Sequence, residues 1–304
     1  MRVPKALLRG GTLGIIAPSS PVEPSLLDAG IAVLESRGFR VRVAPHVRVA
    51  PHVRDHAGAP EDRAADFTLF YADPEIDVLW CARGGSSACR LWPLLDWDAL
   101  AKLPPKMVIG YSDTTSLLIP LTQRIGTAAL HGPLVFELGT LAPNLLDWQL
   151  SLLQNSQPAG PVPAAAAETL VSGAAAGQLC GGCLSLVAAT LGTPYQIDTA
   201  GKLLLMEDIG EAPHRIERYI VQLAEAGLLE AAAGFVVGEA TDAGETDALP
   251  MRPLWLEMLA PYGKPTVLGF PFGHVPNNYA LPLGVRARLD ADAKTLTLLE
   301  AAVA

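Results

Sequence analysis

Short apolar runs alternate with amphipathic segments through the first half of the chain. The apolar runs have the length of buried strands; they are TLGIIAP, FRVRVAP, IDVLWCA, KMVIG and TAALHGP, all within residues 12–133. Helices are predicted for the segments between them, PSLLDAGIAVLESRG, EDRAADFTLFYAD, LWPLLDWDAL and TTSLLIPLTQRIG. Strands that alternate with helices form a parallel sheet covered on both faces, and such strands are apolar throughout. The first half therefore predicts a doubly wound α/β domain.

The second half has a different pattern. LSLVAATLG and RIERYIVQLAEAG predict helices, and KLLLMED, GFVVGEA and PTVLGF predict strands. The closing VRARLDADAKTLTLLEA predicts antiparallel strands. Residues 156–177 are rich in Pro, Ala and Gly and carry almost no charge, so they are predicted to be a linker. The chain then divides into an N-terminal α/β domain at 1–155 and a mixed α/β domain at 178–304.

Composition excludes several classes of function. The 304 residues are 50% hydrophobic and 17% charged, which is enough apolar material for packed cores. The net charge of −9 and pI near 5.1 argue against binding to nucleic acid or to an anionic membrane. No stretch approaches the roughly 18 apolar residues of a membrane span, and the N-terminus has no secretory apolar region. We expect a soluble cytoplasmic protein.

Cysteine and histidine patterns do not indicate a metal site. Cys180 and Cys183 form a lone CxxC without a second pair or a nearby histidine, which is a poor zinc site. All four cysteines are expected to be free thiols. A tandem VRVAPH duplication at 41–54 contributes histidines but no acidic partner pattern, and one copy is expected to complete a strand while the other lengthens a loop. No metal or other cofactor is predicted.

Small and polar residues follow the predicted strands of the first half. They form APSSP (17–21), ARGGSS (82–87), GYSD (110–113) and HGP (131–133). In a doubly wound sheet these segments lie at one edge, where ligands bind. Ser112 occupies a sharp strand-to-helix corner, either as a helix cap or as an exposed nucleophile. Gly84 and Gly85 allow backbone N–H groups to approach a ligand, as an oxyanion hole requires.

A nucleophilic serine needs a general base and a carboxylate that orients it. Outside the duplication the histidines are His131, His214 and His274. Glu207 and Asp208 end the predicted strand LLLMED and are the candidate acids. The residue pattern alone leaves the choice among these groups open.

Seven blocks in a fixed order make the chain similar to the LD-carboxypeptidase family of serine peptidases. They are IIAPSSP, ARGG…RLWPLLDW, VIGYSDTTSL, HGPL, GGCLSLVAATLGTPY, LLLMEDIGEAPHRIERYIVQL and GFPFGHVPNNYALPLG. The resemblance implies a glutamine-amidotransferase-like N-terminal domain and a Ser–Glu–His triad at Ser112, Glu207 and His274. The C-terminal domain would then carry the glutamate and the histidine. It also implies a homodimer.

The resemblance further implies a reaction and a substrate. Ser112 would attack the L,D amide bond that holds the terminal D-alanine of a murein tetrapeptide. Backbone N–H groups of Asp113 and of Gly84 or Gly85 would stabilise the oxyanion, while the Asp113 side chain would cap its helix. Arg83 and Arg90 are the nearby cations for the free carboxylate of this muropeptide substrate.

Two departures and two alternatives accompany this assignment. The family usually has RGGYG where this chain has RGGSS, and GGNL where it has GGCL with Cys183. These changes affect the expected substrate contacts rather than the triad. One alternative is a microcin C-type peptidase that cleaves aminoacyl or peptidyl sulfamoyl-adenylates. The other is a non-catalytic muropeptide-binding protein.

Overall fold

A computed structural model describes residues 1–48, 52–53, 56–164, 166–244 and 251–304. The strands of the first half are β1 (Thr12–Ile16), β2 (Arg40–Val43), β3 (His52–Val53), β4 (His56–Ala57), β5 (Val78–Cys81), β6 (Met107–Gly110) and β7 (Ala129–His131). Its α-helices are α1 (Pro24–Ser36), α2 (Pro60–Ala72), α3 (Trp97–Leu100), α4 (Thr115–Pro120) and α5 (Pro143–Gln154).

The second half contributes the remaining elements. Its strands are β8 (Gly160–Pro161), β9 (Glu168–Val171), β10 (Ala174–Cys183), β11 (Leu203–Ile209), β12 (Gly234–Thr241), β13 (Thr266–Leu268), β14 (Leu281–Leu283), β15 (Arg286–Asp290) and β16 (Thr295–Leu298). Its α-helices are α6 (Leu184–Ala188), α7 (Pro213–Glu225), α8 (Leu228–Ala231) and α9 (Met251–Leu259).

Five parallel strands of the first half form the predicted sheet. The sheet has six strands in the order β14-β7-β6-β5-β1-β2. Strands β7, β6, β5, β1 and β2 are parallel to one another. The central strands β1, β5 and β6 are buried at every position, which explains their continuous apolar sequence. The sixth strand, β14, comes from the second half and pairs antiparallel with β7. The predicted α/β fold class is confirmed, and one strand of the second half completes the sheet of the first half.

The second sheet has eight strands in the order β8-β16-β15-β10-β11-β12-β13-β9. Strands β10 to β13 are parallel, and the flanking strands are antiparallel. The carboxyl ends of β6 and β7 in one sheet and of β11 in the other carry the residues of the candidate site.

Two local expectations differ from the structure, and a third lies partly outside the described residues. The stretch 156–177, predicted to be a linker, supplies β8, β9 and the start of β10 to the eight-stranded sheet. LWPLLDWDAL is not one helix: a turn interrupts it, Pro93 has no N–H to donate, and the Asp96 side chain caps a new start at α3. The first VRVAPH copy supplies the last three residues of β2 as expected, whereas residues 49–51 and 54–55 of the duplication lie outside the described residues.

Two further sequence expectations concern the state of the cysteines and the presence of membrane-spanning helices. All four cysteines are free. Among the described helices, none combines the length and the apolar character needed to cross a bilayer.

Candidate active site

Ser112 lies at a strained corner between β6 and the helical turn that leads into α4. Its φ of +61° is in the left-handed region, which costs a non-glycine residue about 1–2 kcal/mol. A side chain at Gly110 would collide with the Thr114 hydroxyl, which folds back over the corner. The residue preceding α4 is Thr114, so Ser112 does not occupy the cap position. The corner has the geometry of a nucleophile elbow.

His274 and Glu207 form a hydrogen-bonded pair beside this corner. Nδ1 of His274 lies 2.7 Å from Oε2 of Glu207, and the His274 backbone N–H donates to the same oxygen over 3.2 Å. Glu207 is fully buried at the end of β11. The bond through Nδ1 leaves Nε2 of His274 to exchange a proton with a neighbouring hydroxyl. This is the base–carboxylate arrangement of a hydrolytic triad.

The second oxygen of Glu207 faces another histidine. Nε2 of His131 lies 3.5 Å from Oε1, and His131, like Glu207, is 0% exposed. Burial alone would raise the pKa of Glu207, but the close His131 ring and the hydrogen bond and charge of His274 lower it to about 2. The carboxylate is therefore ionised between two imidazole rings.

Tyr111 connects His274 to the Ser112 corner. Its ring centroid lies 4.9 Å from that of His274 and 5.8 Å from that of His131. Its hydroxyl donates to Oε1 of Glu137 over 2.7 Å. Burial raises the pKa of Tyr111 and of Glu137. Since Tyr111 directly precedes Ser112, this contact places the His274 ring at the corner.

The glycine loop closes the other side of Ser112. A Cβ on Gly84 would lie 3.3 Å from the Ser112 hydroxyl oxygen, so the backbone passes directly beside that oxygen. The Gly84 carbonyl accepts from the Ser20 N–H over 3.1 Å. Gly85 has a φ of +116°, and a side chain there would collide with the Ser20 hydroxyl. The APSSP and ARGGSS segments thus hold each other at the sheet edge.

The Asp113 side chain has a different role from the expected helix cap. Its Oδ2 accepts from the backbone N–H of Ala88 over 2.8 Å, so it anchors the glycine loop rather than its own helix. The guanidinium of Arg63 reaches the same loop, and Nη1 donates to the Ser87 hydroxyl over 3.1 Å and to the Pro18 carbonyl over 2.5 Å. The expectation failed because the corner turns the carboxylate back toward residue 88.

Ser87 has a φ of +76°. This conformation favours glycine, which the family usually has at that position, so the departure from RGGYG leaves a strained serine in the glycine loop.

The structure separates the two acidic candidates. Asp208, the neighbour of Glu207, accepts from the N–H of Ser185 over 2.7 Å and from its own neighbour Ile209 over 2.9 Å. Its Oδ1 lies 3.5 Å from the Cys183 thiol. Asp208 therefore caps α6, and Cys183 packs against it in place of the usual asparagine. His214 is exposed on α7.

The two candidate substrate cations are both exposed but lie in different surroundings. Arg83 precedes Gly84, and its Nη1 donates to the Pro21 carbonyl over 3.1 Å. It lines a cavity of about 450 Å³ together with residues 21–24, Leu27, Val47 and Arg48. Arg90 is not among the residues that line this cavity.

No group of three or more metal-ligating side chains lies within the described ranges. His46 does have an acidic partner, since its Nδ1 lies 2.8 Å from Oδ1 of Asp66. That pairing connects distant parts of the chain, so the spacing around the duplication could not reveal it. Sequence reasoning also missed Glu137, Arg63 and the role of Tyr111, of which only Tyr111 lies within a recognised block.

Family models match both halves of the chain. The model of the LD-carboxypeptidase N-terminal domain matches residues 13–132, and that of the C-terminal domain matches residues 176–289. The chain belongs to the LD-carboxypeptidase family. A putative carboxypeptidase of Streptomyces coelicolor is 38% identical over 97% of this chain and 95% of its own length. The murein tetrapeptide carboxypeptidase of Pseudomonas aeruginosa is 31% identical over 93% of this chain and 94% of its own length.

Solved structures show the same two-domain LD-carboxypeptidase fold. The muramoyltetrapeptide carboxypeptidase of Oxalobacter formigenes has a TM-score of 0.81 at 29% identity, covering 94% of this chain and 97% of its own. MccF, in complex with glutamyl sulfamoyl guanosine, has a TM-score of 0.89 at 21% identity over the whole of both chains. As a member of this family, the protein is a hydrolase of the LD-carboxypeptidase type.

Proposed function

We propose that this LD-carboxypeptidase uses Ser112, His274 and Glu207 as a catalytic triad that releases the terminal D-alanine from murein tetrapeptides. The observation that carries the proposal is the 2.7 Å pair between His274 and Glu207, which lies beside the strained Ser112 corner. The name of the Pseudomonas aeruginosa relative supports the choice of substrate.

The proposed reaction follows from the positions of these groups. Nε2 of His274 accepts the Ser112 proton while Oγ attacks the carbonyl carbon of the L,D amide bond. Backbone N–H groups of Asp113 and of Gly84 or Gly85 stabilise the oxyanion. His274 then donates its proton to the leaving amine of D-alanine, and water releases the acyl group from Ser112 with His274 again as base. Glu207 stabilises the imidazolium that forms in each step.

Release of D-alanine tests this function directly. Purified protein is incubated with a muramyl tetrapeptide, and the free D-alanine and the tripeptide product are measured. Ser112→Ala is expected to keep its fold and to lose activity by a factor on the order of a million. Turnover by a folded Ser112→Ala variant at the wild-type rate would contradict the nucleophile.

Arg83 is the cation that we propose for the free carboxylate of the substrate. It adjoins Gly84 and lines the cavity with Arg48, whereas Arg90 lies outside that lining. Arg83→Ala is therefore expected to raise KM about tenfold, the loss of one exposed charged contact. Arg90→Ala is the matched control. A larger rise in KM for Arg90→Ala would transfer the role to Arg90.

The fold shared with MccF keeps one alternative substrate in view, a microcin C-type aminoacyl or peptidyl sulfamoyl-adenylate. At 21% identity this likeness concerns the fold, whereas the murein tetrapeptide carboxypeptidase is 31% identical. Glutamyl sulfamoyl adenosine and the tetrapeptide should be compared at equal concentration. Faster cleavage of the sulfamoyl compound would favour the alternative.

The family resemblance also supports a homodimer that acts in the cytoplasm. Sedimentation equilibrium of the full chain and localisation of a tagged copy test these two proposals. A monomer at micromolar concentration would contradict the first, and export of the tagged copy the second.

A further inference from the structure

We propose that His131 is a positioning residue that fixes Glu207 from the side opposite His274. This inference rests on the triad proposed above. His131 ends β7, where it pairs in register with Gly110 of β6, two residues before Ser112. Its Nε2 lies 3.5 Å from Oε1 of Glu207. The first half of the chain thereby contacts the carboxylate that the second half contributes.

The two oxygens of Glu207 have unequal support from the rest of the chain. Oε2 faces both the ring Nδ1 and the backbone N–H of His274. Oε1 faces the ring of His131, and no hydrogen bond to it of normal geometry exists among the described residues. A fully buried carboxylate oxygen without a donor is costly. Nε2–H of His131 therefore supplies the charge stabilisation that keeps Oε1 in place.

The length of this contact leaves room for Nε2 of His131 and Oε1 of Glu207 to move closer. At 3.5 Å it exceeds a normal hydrogen bond, and catalytic hydrogen bonds are often long before substrate binds and shorten in the complex. We expect the His131–Glu207 distance to shorten when substrate binds.

Packing prevents the His131 ring from turning away. The ring of Tyr111 lies 5.8 Å and that of Phe272 5.7 Å from it, between centroids. A Cβ on Gly182 would lie 3.0 Å from Cδ2 of His131, so the β10 backbone covers the ring on a third side. His131 is thus held at Glu207 and is shielded from substrate, which separates its role from that of the base, His274.

Two variants distinguish positioning from packing. His131→Gln keeps an N–H donor near the position of Nε2, and His131→Met has similar bulk without a donor. We expect His131→Met to lower kcat about 10- to 100-fold with KM nearly unchanged, the loss typical of partners that orient a functional ligand. His131→Gln is expected to recover most of that loss.

A second readout does not depend on the peptide substrate. A fluorophosphonate reacts with an activated serine: the Oγ–P bond forms, the P–F bond breaks, fluoride leaves, and the serine proton passes to His274. The labelling rate of Ser112 should fall in His131→Met and recover in His131→Gln, in parallel with kcat. Labelling that follows this pattern while D-alanine is not released would contradict the proposed substrate but support the role of His131.

Three results would overturn the proposal. The first is that both variants react at the wild-type rate. The second is that both variants lose equal activity although their thermal unfolding midpoints equal that of the wild type. If His131→Met fails to fold, the nitrogen NMR signals of the wild-type ring decide instead. They should show a proton on Nε2 of His131, and an unprotonated Nε2 would be incompatible with support of Oε1.

Discussion

At the residue scale, Ser112 and Glu207 are each held in a state that an isolated residue avoids. Ser112 has a left-handed backbone with φ +61°, and Glu207 is ionised while fully buried. Both states persist because neighbours impose them: the β6 corner fixes Ser112, and the two histidines surround Glu207.

In the proposed mechanism, the pH dependence of hydrolysis follows from the pKa of His274. Burial lowers this pKa, but the hydrogen bond and charge of Glu207 outweigh burial, so it lies above the ordinary value of about 6.5. The base must be neutral to accept a proton. We therefore expect kcat/KM to be low in acid and to rise to a plateau as pH increases through a value above about 6.5. A pH–rate profile measured with the tetrapeptide checks this, and a flat profile from pH 5 to 8 would contradict it.

Glu207→Gln should change both the height and the position of that profile. Loss of the anion removes the group that raises the pKa of His274, so the acid limb should move to lower pH. The plateau should fall by about 10⁴, the loss seen when a triad carboxylate becomes an amide. Asp208→Asn is the matched control: Asp208 caps α6 and contributes less than Glu207 to the raised pKa of His274, so the limb should move less. If the acid limb of the profile does not move in Glu207→Gln, a group other than Glu207 raises the pKa of His274.

The residue pattern indicated the corner serine but left Glu207 and Asp208 open, and only the family resemblance pointed to Glu207. Glu207 and Asp208 are adjacent on β11, and successive side chains of a strand point to opposite faces. A shift of one residue would exchange their roles. The choice depends on how β11 faces the His274 loop, a contact across 67 residues of sequence, and local patterns carry no information about it.

At the element scale, the loop that carries His274 is shaped by one glycine. Gly273 has a φ of +84°, and a Cβ there would collide with the Glu207 carboxylate. Its N–H donates to the side chain of Asn278 over 2.9 Å, which closes the loop. The close approach of this backbone to Glu207 is what allows the His274 N–H and ring to reach the same oxygen.

Gly273→Ala should therefore separate the His274–Glu207 pair. We expect activity to fall by more than 10²-fold, because a displacement of about 1 Å at a catalytic group costs that much. Gly263→Ala is the control: Gly263 also has a positive φ, +60°, but a Cβ there meets nothing within 4 Å. It should cost about 1–2 kcal/mol of stability and leave kcat unchanged. Equal kcat values for the two variants would contradict this account.

The stretch 156–177 shows why composition misled at this scale. Its Ala and Gly residues suggested a linker, yet Gly177 lies where two backbones approach closely. A Cβ on Gly177 would lie 2.5 Å from the Gly201 carbonyl, and β10 pairs with both β11 and β15. A glycine required by a neighbouring strand, as at Gly177, cannot be distinguished by local sequence from a glycine in a flexible connection.

At the scale of the whole molecule, strand β14 joins the two halves. Leu281 is fully buried and pairs with His131 of β7, although it belongs to the second half. The alternation of strands and helices predicted both α/β halves correctly. It could not predict this exchange, because a strand of three residues gives too short a pattern to assign to either sheet.

Leu281→Ala should lower both stability and activity. Loss of a buried leucine costs about 2–5 kcal/mol, and here it also loosens the strand beside His131. Leu296→Ala is the control, since Leu296 is equally buried in β16 of the eight-stranded sheet. Urea unfolding should show comparable losses, whereas kcat under native conditions should fall only in Leu281→Ala. An equal fall in kcat for both would attribute the effect to general destabilisation.

The position of His274 between β13 and β14 has a mechanical consequence. β13 belongs to the eight-stranded sheet and β14 to the six-stranded sheet, so the segment that carries the base is anchored in both. A small rotation of one sheet against the other would therefore displace this segment and move His274 relative to Ser112. The rate of turnover would then depend on how the two sheets are oriented relative to each other. A compound that binds between the two sheets, away from Ser112, should inhibit non-competitively by moving His274 out of reach of Ser112.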